Sequence, residues 1–186
     1  MWISKFAVVF AAITISACGT QVSAGPQLTV NGHAVSIALY SSLLAAERLK
    51  VERTGVPISS ASAAGKQREM RLEASVIREL IRDAVVEQLA AARGIRISAA
   101  DLQTRLSAAQ QALGGPLAFE QDLAQAGLSK NDFSAVLRYR LLEAQLTQTG
   151  AAATSAAAID RAVLAAGVIV TIGPCAQHAY PSCVTS

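Results

Sequence analysis

Val76-Ile77-Arg78-Glu79-Leu80-Ile81-Arg82-Asp83-Ala84-Val85-Val86-Glu87-Gln88-Leu89-Ala90 is the stretch whose reading decides the fold. Its apolar residues Val76, Ile77, Leu80, Ile81, Ala84, Val85 and Leu89 recur by threes and fours, the period of one helix face rather than of a strand. Carried back through Met70 and forward to Gly94, a helix stop, the pattern predicts one long helix over 67–93. At ~1.5 Å per residue this is a rod of roughly 40 Å. Arg71, Glu79, Arg82, Asp83 and Glu87 fall largely off the stripe and are expected on its solvated side. The fold class expected is mainly α.

Upstream of this helix, Leu28-Thr-Val-Asn31-Gly32-His33-Ala-Val35 reads as two short extended pieces about an Asn-Gly turn, the strongest short hairpin signal. Ser36 follows as an N-cap, with Val35 and Tyr40 placed as a hydrophobic staple. A helix over 37–54 is predicted, ended by Gly55 and kept from resuming by Pro57. Residues 56–66 read as a loop.

Downstream, Ile97-Ser98-Ala-Ala-Asp101-Leu102 and Leu128-Ser129-Lys-Asn-Asp132-Phe133 repeat one helix-start signal, a serine cap three residues before a carboxylate. The first opens a helix to Leu113 with Leu102, Leu106, Ala109 and Leu113 on one face. Gly114-Gly115 breaks it, and Pro116 starts a short helix to Gly127. The second opens a helix over 131–147 with inner face Phe133, Val136, Leu137, Leu141 and Ala144. A short helix over 155–166 precedes Val168-Ile-Val-Thr-Ile172, β-branched throughout and expected to be a strand. An isolated strand leaves backbone groups unpaired, so it is expected to join the hairpin in a small sheet.

The first residues carry Lys5 and then an apolar run of ten, Phe6–Ile15, too short to span a bilayer but right for a secretory leader. Ile15-Ser16-Ala17-Cys18 resembles a bacterial lipobox. The resemblance implies diacylation of Cys18, cleavage before it, and a lipid-anchored protein on the extracytoplasmic face of a cell membrane. A plain secretory signal or an uncleaved anchor is the alternative. Residues 1–17 are then the signal peptide and 18–27 a linker.

Without residues 1–17, 169 of the 186 residues remain (186 − 17), enough for one domain with a real core. Loss of Lys5 takes the formal charge from +3 to +2, too mild a balance to point to nucleic acid. Rings make up 4% of the chain, and after cleavage only Tyr40, Phe119, Phe133, Tyr139 and Tyr180 are left, no platform for stacking bases.

The order of elements from Val30-Asn31-Gly32 through the long helix, Arg93-Gly94-Ile95, Ser98 to Asp101, Phe119 to Gly127 and Phe133 to Leu142 resembles the N-terminal chaperone domain of SurA-like and PrsA-like foldases. The resemblance implies about five helices over 28–150, with 151–186 completing the same domain through a short helix, a strand and a cysteine loop. It also implies binding of unfolded or nascent exported polypeptides. Client contacts are expected from Leu80, Leu102, Leu106, Phe119, Phe133, Leu137 and Tyr139, in a cradle between the long helix and the three that follow. In that family a prolyl isomerase domain of roughly ninety residues usually follows. Here 38 residues follow Gln148 (186 − 148) and hold one histidine, His178, so no isomerase activity is expected of this chain.

Outside the cytoplasm Cys175 and Cys183 read as a disulfide closing a small loop. A metal site from these two and His178 lacks a fourth ligand nearby. His33 reads as a turn residue. The carboxylates of the long helix alternate with arginines, which is ordinary i,i+4 pairing rather than acid-base catalysis. No phosphate loop, zinc signature or serine elbow is present. The expectation is thus a holdase-like chaperone with no catalytic residue, cofactor, metal or small-molecule substrate. A structural or adaptor lipoprotein with one dedicated partner is the alternative.

Overall fold

The computed structural model describes residues 25, 27–56, 58, 61–148 and 155–185; Cys18, the leader and Pro57 lie outside them. The elements run β1 (Leu28–Val30), β2 (His33–Ala34), α1 (Ile37–Arg53), α2 (Ala63–Ala92), α3 (Ala99–Ala112), α4 (Pro116–Ala126), α5 (Lys130–Gln148), α6 (Ala156–Ala165) and β3 (Val168–Val170). Two 3-10 turns, Gly173–Ala176 and Ser182–Val184, close the described chain.

Local chemistry places most of these boundaries. Asn31 and Gly32 have φ of 52° and 79°, the paired positive values of a two-residue hairpin turn. The Ser36, Ser98 and Ser155 side chains accept from the N–H groups of Leu39, Asp101 and Ala158, capping α1, α3 and α6. Ser129 and Asp132 form a reciprocal box at the start of α5. Gly127 ends α4 at φ 70°, where a Cβ would come within 2.7 Å of Leu49 Cδ1 on α1. The left-handed φ is what favours glycine there, since the Leu49 side chain could give way to a Cβ.

Helix α2 begins at Ala63, four residues before the expected Gln67, because Ser62 accepts from Gly65 N–H and the alanines behind it propagate the helix. It is the central element, packing against α1, α5, α6, β1 and both 3-10 turns. Leu28, Val30, Leu39, Tyr40 and Leu44 bury against Ala74, Val76, Ile77, Leu80, Ile81 and Val85 in the main core. Met70 does not join them; it is 48% exposed, since the first turns of α2 run past the end of that core.

In a three-stranded sheet β1 lies between β2 and β3, antiparallel to each. Leu28 pairs with Val170 and Val30 with Val168, so the C-terminal strand joins the hairpin as expected. Strand pairing stops at Val170 rather than Ile172, where the chain turns inward and buries Ile172 and Cys175 in the main core. Cys175 and Cys183 are buried with Cα atoms 5.0 Å apart, within disulfide range.

Two smaller clusters complete the interior. Val86 and Ala90 of α2 meet Leu142 and Leu146 of α5 and Ile159 of α6. The fully buried positions of α5 are thus Leu142 and Leu146, which meet α2 and α6, while the expected Leu141 and Ala144 line a hollow between α3 and α5. The other cluster joins Leu106, Phe119 and Leu123 with the edges of Leu102, Phe133 and Leu137. The Phe119 and Phe133 rings meet edge to face at 5.2 Å. Leu113, expected on that face, is 47% exposed as the C-cap just after α3, where the chain leaves for Gly114-Gly115.

Candidate functional site: a furrow between α2 and α5

Along one side of α2, two cavities adjoin. The first, of about 480 Å³, is bounded by His33 to Ser36 from the hairpin, Leu80 to Ala91 from α2, and Tyr139 from α5. The second, of about 330 Å³, lies between Ile95 to Ile97, Arg138 and Leu142. Glu87 and Ala91 border both, and the Glu87–Arg138 ion pair, at 2.6 Å, stands at their junction. A third hollow of about 320 Å³ between α3 and α5 shares Ile97 with the second. Together they make a furrow from the hairpin to the start of α3.

The seam is lined with charge. Arg82 holds Glu143 at 2.6 Å and Asp160 at 2.5 Å, and Arg140 pairs with Glu79 and Glu143. Asp83 sits among them and takes part in no ion pair or hydrogen bond among the described residues. It is 3% exposed, contrary to the solvated position expected for it. The physical reason is its register: Leu80, Asp83, Ala84 and Glu87 stand at i, i+3, i+4 and i+7 on one helix face, so Asp83 borders the cavity between the hairpin and α5. Burial pushes its carboxyl up to about 7, with Glu79 and Glu143 adding to the rise and Arg140 and Arg82 opposing it. The Tyr139 hydroxyl is also raised, by burial first and then by Glu87 and Asp83.

Gln88 ties the furrow to the sheet. Its Nε2 donates to Val30 O at 3.0 Å, and its Oε1 accepts from Asn31 Nδ2 at 2.7 Å. The hairpin rim is therefore held on α2 by hydrogen bonds as well as by its buried face.

The seven residues expected to contact clients divide. Leu80 and Tyr139 border the first cavity. Leu106 and Phe119 are buried in the α3–α4–α5 cluster, and Leu102, Phe133 and Leu137 pack on it. The five tie α3, α4 and α5 together, Leu106 and Phe119 from inside the cluster and the other three from its half-buried edge. Asp83, Gln88 and Ser36 were not expected at a cavity. The one sequence signal for Asp83 was a charge falling in step with Val76, Leu80 and Glu87.

The SurA-like N-terminal domain family matches residues 1–147. The chain belongs to that family. Its members are of the chaperone type, associated with binding of unfolded polypeptides. No curated protein and no solved structure matches the chain. The matched span of this SurA-like chain ends within α5, so α6, β3 and the cysteine turns lie beyond it. No helix among the described residues is long and apolar enough to cross a membrane, and none of their His, Cys, Asp and Glu side chains cluster as a metal site.

Proposed function

We propose that this SurA-like chain is a holdase: it binds extended, partly apolar segments of exported polypeptides in the α2–α5 furrow and releases them without catalysis. The observation that carries the reading is the family match over residues 1–147. The furrow supports it, being a row of side-chain-sized hollows with apolar floor positions such as Leu80, Ala84, Ala91 and Leu142. Ordering a flexible client costs several kcal/mol, so each site binds weakly.

Cys18, in this proposal, is acylated and holds the domain at the extracytoplasmic face of a membrane. Two acyl chains suffice for stable anchoring. A tether raises the local chaperone concentration where clients emerge. A Cys175–Cys183 disulfide fits that compartment, and residues 28–185 act as one unit.

Suppression of aggregation of a chemically unfolded client by the purified chain tests the reading. Light scattering should fall at stoichiometric chaperone, with several unrelated clients protected. Protection of none, with tight capture of a single partner, would favour the adaptor alternative. A proline-limited refolding assay on the same chain should show no acceleration at catalytic concentration.

A further inference from the structure

Two carboxylates, Asp83 and Glu87, line the first cavity of the furrow, and the charged seam between α2, α5 and α6 adjoins it. Five carboxylates, Glu79, Asp83, Glu87, Glu143 and Asp160, share the seam with three guanidiniums. Each guanidinium is engaged: Arg82 by Glu143 and Asp160, Arg138 by Glu87, and Arg140 by Glu79 and Glu143. Asp83, the most buried of the five, forms no ion pair among the described residues, Arg140 and Arg82 acting on it from beyond contact distance. It borders a cavity of about 480 Å³ to which neither lysine nor arginine contributes among the described residues. A carboxylate set this deep is costly to keep charged, and a cation brought into contact with it there is held more strongly than at the surface.

The walls around it fit one kind of guest. Val35, Leu80 and Ala84 also line the cavity and are apolar surface of the kind that covers the methylene stem of a long basic side chain. Tyr139 sets an aromatic ring on the same cavity, and Glu87 supplies a second carboxylate at its border.

We infer that the hollow between the hairpin, α2 and α5 is a specificity pocket for one lysine or arginine side chain of a bound polypeptide, with Asp83 as its counter-ion. The inference rests on the holdase reading for the rest of the client, while the pocket itself stands on Asp83 and its cavity. Groups facing Asp83 are Glu79, Arg82 and Glu87 on its own helix, Tyr139, Arg140 and Glu143 on α5, and His33 across the cavity from the hairpin. Because burial raises the Asp83 carboxyl to about 7, cation and proton compete for it.

Two arms test this on the full purified chain. In the first, paired apolar peptides carry either lysine or norleucine at one central position, and binding is read by fluorescence anisotropy. At pH 8 the lysine peptide should bind about ten-fold tighter. The advantage should shrink at pH 5.5, and Asp83→Asn should bring the two peptides to equal affinity. Equal binding of both peptides by the unaltered chain, or a lysine preference that survives Asp83→Asn, overturns the pocket.

The second arm does not depend on client binding. N-acetyl-lysine methylamide is titrated into isotopically labelled chain, and the Asp83 carboxyl resonance is followed with pH. Its midpoint should fall with the lysine amide and not with the norleucine amide. An unmoved midpoint overturns the pocket even if peptides bind. A shifted midpoint with no peptide binding at all leaves the pocket and removes the holdase reading.

Discussion

Asn31 and Gly167, 136 residues apart in sequence, hold each other by two hydrogen bonds. The Gly167 N–H donates to Asn31 Oδ1 at 2.8 Å, and the Asn31 N–H donates to Gly167 O at 2.7 Å. Asn31 Nδ2 meanwhile donates to Gln88 on α2. One turn residue therefore joins the hairpin, the α6–β3 corner and the central helix.

Replacing it tests that junction. Asn31→Ala removes two side-chain hydrogen bonds and places a Cβ-bearing residue without a local acceptor at φ 52°. A cost of about 1–2 kcal/mol, or roughly 3–6 °C in Tm, is expected. Asn31→Asp keeps the acceptor for Gly167 and should lose less. Equal melting temperatures for all three chains, measured by circular dichroism, would show that the junction is idle.

Ending the chain after Gly167 removes β3 and both cysteine turns. Val170, Ile172 and Val184 are buried in the main core, and the Arg78 guanidinium donates to Val184 O. Three such side chains represent about 5 kcal/mol of burial at the lower end of the usual range. The thermal midpoint should fall by about 10 °C or more. An unchanged melting curve would make the C-terminal strand a dispensable tail.

Asp83 should give stability a pH slope of its own. Its folded carboxyl lies at about 7, against an unfolded value of about 4. The folded chain keeps a proton that the unfolded chain releases, so this contribution is full below about pH 4 and is lost as pH rises through about 7. Asp83→Asn abolishes the slope. The variant should therefore gain on the unaltered chain between pH 4 and pH 8, by a few kcal/mol at most, and be the more stable at pH 8. Parallel curves of Tm against pH would refute a buried, strained carboxyl.

Cys18→Ser should leave the protein unprocessed or release it from membranes, since the acyl acceptor is gone. Intact mass and detergent partitioning read the outcome, and the same mass spectrum, with alkylation before reduction, reads whether Cys175 and Cys183 carry free thiols. A native chain that stays in the aqueous phase with no mass increment would remove the lipoprotein proposal.

What could be read from residues alone was whatever depends on neighbours a turn away. Ser36, Ser98, Ser129 and Ser155 cap helices with their own oxygens, Asn31-Gly32 sets a turn with its own backbone, and Val76 to Leu89 declares a helix face by its period. The order of those elements also carried the family resemblance. Even the pairing of β3 with β1 was legible, because few extended segments were available to satisfy one another. Which apolar residues sit deepest was not legible, since an apolar residue at helical spacing is written alike whether it lines a groove or fills a core. Only the folding of α3 and α4 onto α5 decided that Phe119 and Leu106 are interior. In the same way, a carboxylate between arginines reads as a solvated ion pair in any sequence. The packing of α5 and the hairpin over one face of α2 engaged Arg82, Arg138 and Arg140 with other carboxylates and left Asp83 buried at the wall of a cavity.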